Sequence, residues 1–488
     1  MKVVYSAIIP ALLCCCPLLL IAQKITVDNT MPRLDEKGQI VDAHDGRIIQ
    51  FGDTFYWYGT AYGNTNGFIE KNKYVCYSSS NLKNWKSHGT LLKNQPKGVH
   101  YRPHVIYNKT TKNYVLWYNW YPNLWEGQFG VAVSKKPEGP FTIVNDNVSM
   151  AHSNIGLGDL GLFVDDDGSA YVSYNTIKDH QVSVERLSDD YLSSTKKNGG
   201  FIAKHMEAGA IFKRNGKYYL LTDYTCCFCN YGSGARVYVS EHPMTEYVFK
   251  GNINRYPGRF SGILNDGIDT GTLYETLSKH ADVFDAVELK LEKQVAVNAL
   301  SIHLFTGNRP ENCGDVDHPR VHPKIEVPTF KVFKKVDGEW SEVKITSQNI
   351  QKSALKSKLT LMLETSEANS LKIQPSSTDY SFDEIYINEV EILEKDNVEP
   401  MSDTFEVFVT GKKISQKPII PAQQTYVMKL NLGNGEAYIW MGDLWGSASD
   451  NVKGHDYQYW SSPLQFNSDG TIRPMQWTDS WSLTSKEH

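Results

Sequence analysis

The stretch that decides the fold is Asp45-Gly46-Arg47-Ile48-Ile49-Gln50-Phe51-Gly52-Asp53-Thr54-Phe55-Tyr56-Trp57-Tyr58: an apolar run, a tight polar turn, then an aromatic-rich run. A glycine-bearing turn between two runs of β-branched and aromatic residues reads as a β-hairpin, since such turns need a residue that accepts a left-handed backbone. The device recurs four times. Val105-Ile106-Tyr107 turns through Thr110 to Asn113 into Tyr114-Val115-Leu116-Trp117-Tyr118, and Leu162-Phe163 turns through Asp165-Asp166-Asp167-Gly168 into Tyr171-Val172-Ser173-Tyr174. Ile211-Phe212 turns at Asn215-Gly216 into Tyr218-Tyr219-Leu220-Leu221, and a weaker Val427-Met428 turns at Asn434-Gly435 into Tyr438-Ile439-Trp440.

The spacing of these turns sets the architecture. Measured at positions 52, 112, 167, 216 and 435, the intervals are 60, 55, 49 and 219 residues. The first three match one four-stranded propeller blade, so the expected fold is all-β, a five-bladed β-propeller. The last interval is longer by roughly 160 residues, enough for a whole domain. Within it, segments 286–291, 300–304, 330–333, 371–373 and 385–392 alternate like short antiparallel strands, which predicts a β-sandwich inserted before the last blade. The expected division is a signal segment at 1–22, blades one to four at 23–265, the sandwich at 266–412, and the last blade with closure at 413–488.

With 50 basic against 55 acidic side chains in 488 residues, the net charge of −5 offers no footprint for a polyanion, which excludes nucleic acid as the main partner. Aromatics make up 12%, with 11 Trp and 28 Tyr, a store from which sugar-stacking walls can be built. Lys2 followed by an apolar run to Ala22 reads as a secretory signal; Pro10 and Pro17 interrupt it and no second long apolar run follows, so export without a transmembrane span is expected. Leu12 and Leu13, before Cys14, Cys15 and Cys16, are not the small pair that lipid attachment prefers. Cys76, Cys226, Cys227, Cys229 and Cys313 are odd in number, which leaves at least one free thiol. The 226–229 run lacks the spacing of a zinc site and reads as a structural loop. A monomer is the expected form.

Inner strands of a propeller converge on its axis, so residues just before each inner apolar pair meet on one face. Three acids hold that position: Asp45 before Ile48-Ile49, Asp159 before Leu162-Phe163, and Glu207 before Ile211-Phe212. Cleavage of a glycosidic bond needs one carboxyl protonated to donate to the leaving oxygen and another ionised to activate water. Asp159 beside Glu207 would raise the latter's pKa and prepare it as general acid, while Asp45 stays ionised as base. Inversion follows if the acid and base lie about 6.5–9.5 Å apart.

The runs Asp45 to Tyr56, Gly158 to Gly168 and Glu207 to Tyr219 resemble the three acid-bearing motifs of glycoside hydrolase family 43, a family of five-bladed propellers. The resemblance covers about 42–265 and 415–483, and it implies Asp45 as general base, Asp159 as pKa modulator and Glu207 as general acid. Ala43-His44, the run Arg102 to Asn108, Gln423, Met441-Gly442-Asp443, Pro463-Leu464, Asp469-Gly470-Thr471 and Trp477 resemble its exo-acting galactan 1,3-β-galactosidase group. That group usually has Glu where this chain has Tyr101, lacks an acid at the Asp45 position, and uses a Gln to assist its base. The inserted segment, above all Asn388 to Leu393, resembles a discoidin-type galactose-binding module.

Around the acids, His44, Tyr101, Arg102, Trp120, Gln423 and Trp445 are the expected substrate-binding residues. His44 would bond sugar hydroxyls or a strand end, and Arg102 offers a rigid fork of donors for an acid or a hydroxyl. Trp120, Trp125 and Trp445 are placed in the funnel wall, and Trp117 and Trp440 in the core. No metal ligands are expected. Asp165-Asp166-Asp167-Gly168 lacks the spaced ligands of a calcium loop and reads as a hairpin turn, with room left for a structural calcium ion elsewhere in the central channel. The expected function is an exported, inverting, exo-acting glycosidase on a galactan, arabinogalactan or other arabinose- or xylose-containing plant polysaccharide, without cofactor. The alternative is a carbohydrate-binding propeller without turnover.

Overall fold

The computed structural model describes residues 23–224, 228, 235–254, 264, 275–278, 286–305, 327–352, 356–376, 384–393, 405–409, 419–432, 435–448, 450 and 452–485. The signal segment, Cys226, Cys227, Cys229, Cys313 and Asn434 lie outside them. Outside the long interval, the described strands form five small antiparallel sheets built in chain order, four of four strands and one of three, and a two-stranded sheet. Their first strands are β1 (His44–Phe51), β2 (Val99–Asn108), β3 (Leu157–Val164), β4 (Met206–Arg214) and β5 (Gln423–Leu432).

These five strands touch in a closed ring: β1 to β2, β2 to β3, β3 to β4, β4 to β5, and β5 back to β1. Burial follows the same circuit. Tyr58, Tyr118 and Leu116 form a core between the first and second sheets, Trp117 and Val172 between the second and third, and Val184 and Leu220 between the third and fourth. Leu221 and Trp440 join the fourth to the fifth, and Trp57, Ile439 and Trp460 join the fifth to the first. The inner strands of each sheet are buried on both faces, which is why they carry long apolar runs, while outer strands such as Lys86–Thr90 and Val248–Asn252 are largely exposed. The circuit closes with the chain ends: Gln23–Asp28 pairs antiparallel with Ser480–Ser485, and the Asn29 side chain bonds both backbone groups of Trp460.

The turns behave as their residues dictate. Asn215 and Gly216 both have positive φ, 49° and 77°, as a tight two-residue hairpin turn requires. The strand containing Trp117 runs from Asn113 to Tyr121, beyond the expected Tyr118, with consequences for Trp120.

Between the fourth and fifth sheets, two long strands, Val287–Phe305 and Lys356–Pro375, pair antiparallel with a register break between Lys290 and Val295. On one side of the break, their ends pair with Phe405–Val409 and Phe330–Val336. On the other side they pair with Glu384–Ile392 and Ile345–Lys352. Apolar side chains from both sides, Leu289 and Ile373 with Ile302, Leu361 and Ile387, share one core that includes no residue of the ring. Asn254 marks where this segment leaves: its amide bonds Ile420 O at 2.8 Å and accepts from Ile420 N at 2.7 Å.

Candidate active site

All five first strands break register at the same height. The breaks fall between His44 and Arg47, Tyr101 and His104, Leu157 and Leu160, Glu207 and Ala210, and Gln424 and Tyr426. A bulge turns a side chain away from the pleat, and here every sheet turns one toward the axis. Asp45, Arg102 and Ala208 sit in the left-handed region, with φ of 56°, 53° and 54°. A single pocket is thereby lined by Asp45, Arg102, Asp159, Glu207 and Gln423, one residue from each sheet.

Arg102 is at its centre. It is buried, lies 2.9 Å from Asp159 Oδ2, and donates to the carbonyl oxygens of Asp45, Gln424 and Thr425 at 3.1–3.2 Å. Burial works against its charge, but Asp159, Asp45 and Glu207 outweigh that and hold the guanidinium above its ordinary value. Arg102 is therefore part of the carboxylate machinery.

Asp45 is 7% exposed and accepts from the Tyr62 hydroxyl at 2.6 Å. Burial, then the neighbouring Asp443 carboxylate, pushes it up to about 7, against the pull of Arg102, Tyr62 and His44. This differs from the expectation that Asp45 stays ionised: Asp45 is pushed toward neutrality, while Asp159 is ion-paired with Arg102. Glu207 accepts from Gln423 Nε2 at 2.8 Å, and Gln423 Oε1 accepts in turn from Trp445 Nε1 at 2.7 Å. The indole fixes which way the amide points, so Gln423 presents its donors to Glu207.

Three expected sugar contacts prove otherwise. His44 does not line the pocket; it is buried, with Nδ1 3.0 Å from Asp443 and Nε2 3.6 Å from Asp42. Burial opposes its charge, but Asp443, Asp42 and Asp45 carry it to about 9. Trp120 lies inside a strand rather than beyond it, stacks on His100, and bonds Asp146 O: it is core. Trp445 is 3% exposed, packed on His44, Tyr62 and Phe228, and supports Gln423 from behind. Tyr101 and the 41%-exposed Trp125 do line the pocket, while Trp117 and Trp440 are core. Sequence reasoning missed Tyr62, Asn175 and His180. Asn175 Oδ1 accepts from the Asp159 backbone at 3.0 Å, and its amide nitrogen is 3.5 Å from His180 Nδ1. Asn175 lies near the end of the second strand of its sheet, across from the break between Leu157 and Leu160, and Tyr62 directly follows the second strand Thr54–Ala61 of the first sheet.

Among the described residues no group of three or more His, Cys, Asp or Glu side chains is arranged to hold a metal ion. Below the pocket Arg47 crosses the channel, bonding Leu162 O at 2.8 Å and stacking 4.3 Å over Tyr426, so a calcium ion there would meet a buried positive charge. Asp165 bonds Lys213 and Tyr218, as a polar turn would.

The all-β ring thus presents three carboxyl groups and a guanidinium in one pocket. Residues 40–251, under half of the chain, match the model of the glycosyl hydrolases family 43, a match that supports a glycosidase. An arabinoxylan arabinofuranohydrolase of Paenibacillus polymyxa is 25% identical over 278 residues, 48% of this chain and 43% of that protein. The chain thus spans under half the length of this curated relative. Two solved structures share the fold at 19% identity: a family 43 β-1,3-galactosidase, TM-score 0.52, covering 94% of this chain and 64% of that one, and a second with galactodeoxynojirimycin, TM-score 0.51, covering 93% and 99%.

Proposed function

We propose that the protein is an exported glycosidase, a five-bladed propeller with an inserted discoidin-type β-sandwich, that removes terminal sugars from a galactan or arabinogalactan with inversion. The observation that carries this reading is the pocket to which all five sheets contribute polar residues, with Glu207 and Asp45 on different sheets. Glu207, oriented by Gln423, is the general acid and protonates the leaving oxygen. Asp45, oriented by Tyr62, removes a proton from the attacking water. Asp159, paired with Arg102, holds that guanidinium between them. The wall of Tyr62, Phe68, Tyr101 and Phe228 supplies apolar surface for a sugar ring. Names of the matched proteins support galactose and arabinose as the sugars to try first.

The test is sugar release from β-galactan, arabinogalactan, arabinan and xylan oligosaccharides, with NMR of the first anomer formed. Wild type is expected to release an inverted monosaccharide with a kcat/KM that falls below a pH of about 7 as Asp45 takes up its proton. Glu207→Gln should lower turnover by about 10²-fold or more and spare binding. Binding by both proteins with release by neither would replace this reading with a sugar-binding protein.

A further inference from the structure

The fifth sheet contributes no carboxyl to the pocket, yet two of its residues hold the proposed acid and base. Gln423 on β5 and Asp443 on the next strand are direct cross-strand partners. Gln423 reaches β4 and donates to Glu207. Asp443 reaches β1: its Oδ2 accepts from the Asp45 backbone N–H at 2.9 Å and its Oδ1 lies 3.0 Å from His44 Nδ1. It is 1% exposed and does not line the pocket.

We infer that Asp443 is a positioning residue for the proposed base: by gripping Asp45 N–H and His44 together, it fixes the left-handed bulge at Asp45 and sets how readily its carboxyl takes a proton. This rests on the reading of Asp45 as base. The bulge is costly without help, because a non-glycine residue with φ of 56° is strained unless its surroundings hold it. Two backbone anchors do so: Asp443 takes the N–H of Asp45 and Arg102 takes its carbonyl. The groups that face the Asp45 carboxyl are Asp443 from the fifth sheet, His44 from its own strand, Arg102 from β2 and Tyr62 from the loop above. His44 is in turn faced by Asp42, and Asp456 senses its charge. Of these, Asp443 is the negative charge that opposes ionisation of Asp45, while His44⁺, Arg102 and the Tyr62 hydroxyl favour it. Asp443 and His44 thus pull the base in opposite directions from behind the pocket.

The substitutions are Asp443→Asn and His44→Gln, which keep shape and remove charge, in the full chain, with circular dichroism to verify folding. Each protein is labelled with carboxyl-¹³C aspartate, and the Asp45 resonance, assigned by its loss in Asp45→Asn, is followed against pH. Asp443→Asn should move the Asp45 midpoint down by about one unit, and His44→Gln should move it up. On a cleavable oligosaccharide, Asp443→Asn should lower kcat by about tenfold to a hundredfold with little change in KM, as misplacing a base would. An Asp45 midpoint that stays put in both folded variants, or a kcat that does not fall, overturns the assignment of Asp443. Full turnover by Asp45→Asn instead overturns Asp45 as base, and the titration still reads whether Asp443 controls it. If Asp443→Asn does not fold, the His44→Gln midpoint decides: an upward shift supports the paired arrangement and no shift removes it.

Discussion

Asp45 and His44 are adjacent and buried, and both are pushed above their ordinary values, so stability depends on pH in a way that a measurement can read. The folded-state value of Asp45, about 7, lies above the ordinary 3.8, so between these limits the native chain holds more proton than the unfolded one, and stability falls as pH rises across that window. His44, about 9 against 6.5, contributes fully below 6.5 and loses its contribution as pH rises through 9. Both signs agree. Below about pH 6.5 the buried His100 and His104, held below their ordinary values by burial, act in the opposite sense, so the decline belongs to the window from about pH 6.5 to 9. Urea denaturation should show stability falling across that window, and Asp45→Asn should flatten the slope near pH 7 and exceed wild type in stability above it. A variant less stable than wild type at pH 8 would show that the carboxylate is held by more favourable contacts than those described. At this scale the sequence was informative for side chains tied to the repeat. Asp45, Asp159 and Glu207 precede an apolar pair, and Arg102 and Gln423 fall at the equivalent height on β2 and β5. It was uninformative for Trp120, where one more turn of alternation reverses the face, and for Trp445, whose burial depends on His44 and Phe228 from distant parts of the chain.

Strands β3 and β4 show what an element must do to bring Asp159 and Glu207 into one pocket. The carbonyls of Gly161 and Gly209 converge on the Ser173 hydroxyl, at 3.2 and 2.6 Å, and a Cβ on Gly161 would lie 2.2 Å from Gly209 O. Glycine is required there by a close approach of two backbones rather than by a turn. Gly161→Ala must push the strands apart or distort the bulges beside them. The expected loss is about 1–3 kcal/mol in denaturation, as for overpacking of a filled core, together with loss of turnover out of proportion to it. Unchanged stability and turnover would mean that the two strands can separate without disturbing either acid. Hairpin turns were legible because their chemistry is local, Asn215-Gly216 being the clearest. The bulges were not legible, since a register break is set by what the neighbouring strand and the axis demand, and no residue type marks it in all five strands: Asp-Gly, Arg-Pro, Gly-Asp, Ala-Gly and Thr stand at the five breaks.

For the whole molecule, the interrupted fifth interval has a physical rationale in the way burial is divided. Five cores link the ring sheet to sheet, and a sixth, around Leu289, Ile302, Leu361 and Ile387, belongs to the inserted segment alone. Each ring core draws on two neighbouring sheets, which ties the five together, whereas the sixth takes no residue from any ring sheet, so calorimetry should resolve two transitions. The chain departs and returns through neighbouring residues, Ile419 N bonding Asn254 O at 3.1 Å, and loop closure across a few residues costs little when the ends are already held together. Replacing residues 256–417 by a short Gly-Ser linker should remove one transition and leave the ring folded, because the Asn254 clamp on Ile420 lies outside the excised part. Turnover of a small oligosaccharide should then persist with kcat within about twofold, since Asp45, Arg102, Asp159, Glu207 and Gln423 all lie in the retained sheets. Loss of turnover in a folded, excised ring would assign the insertion a share in shaping the pocket. A selective rise in KM for polymeric substrate, with oligosaccharide turnover intact, would assign it to holding the glycan.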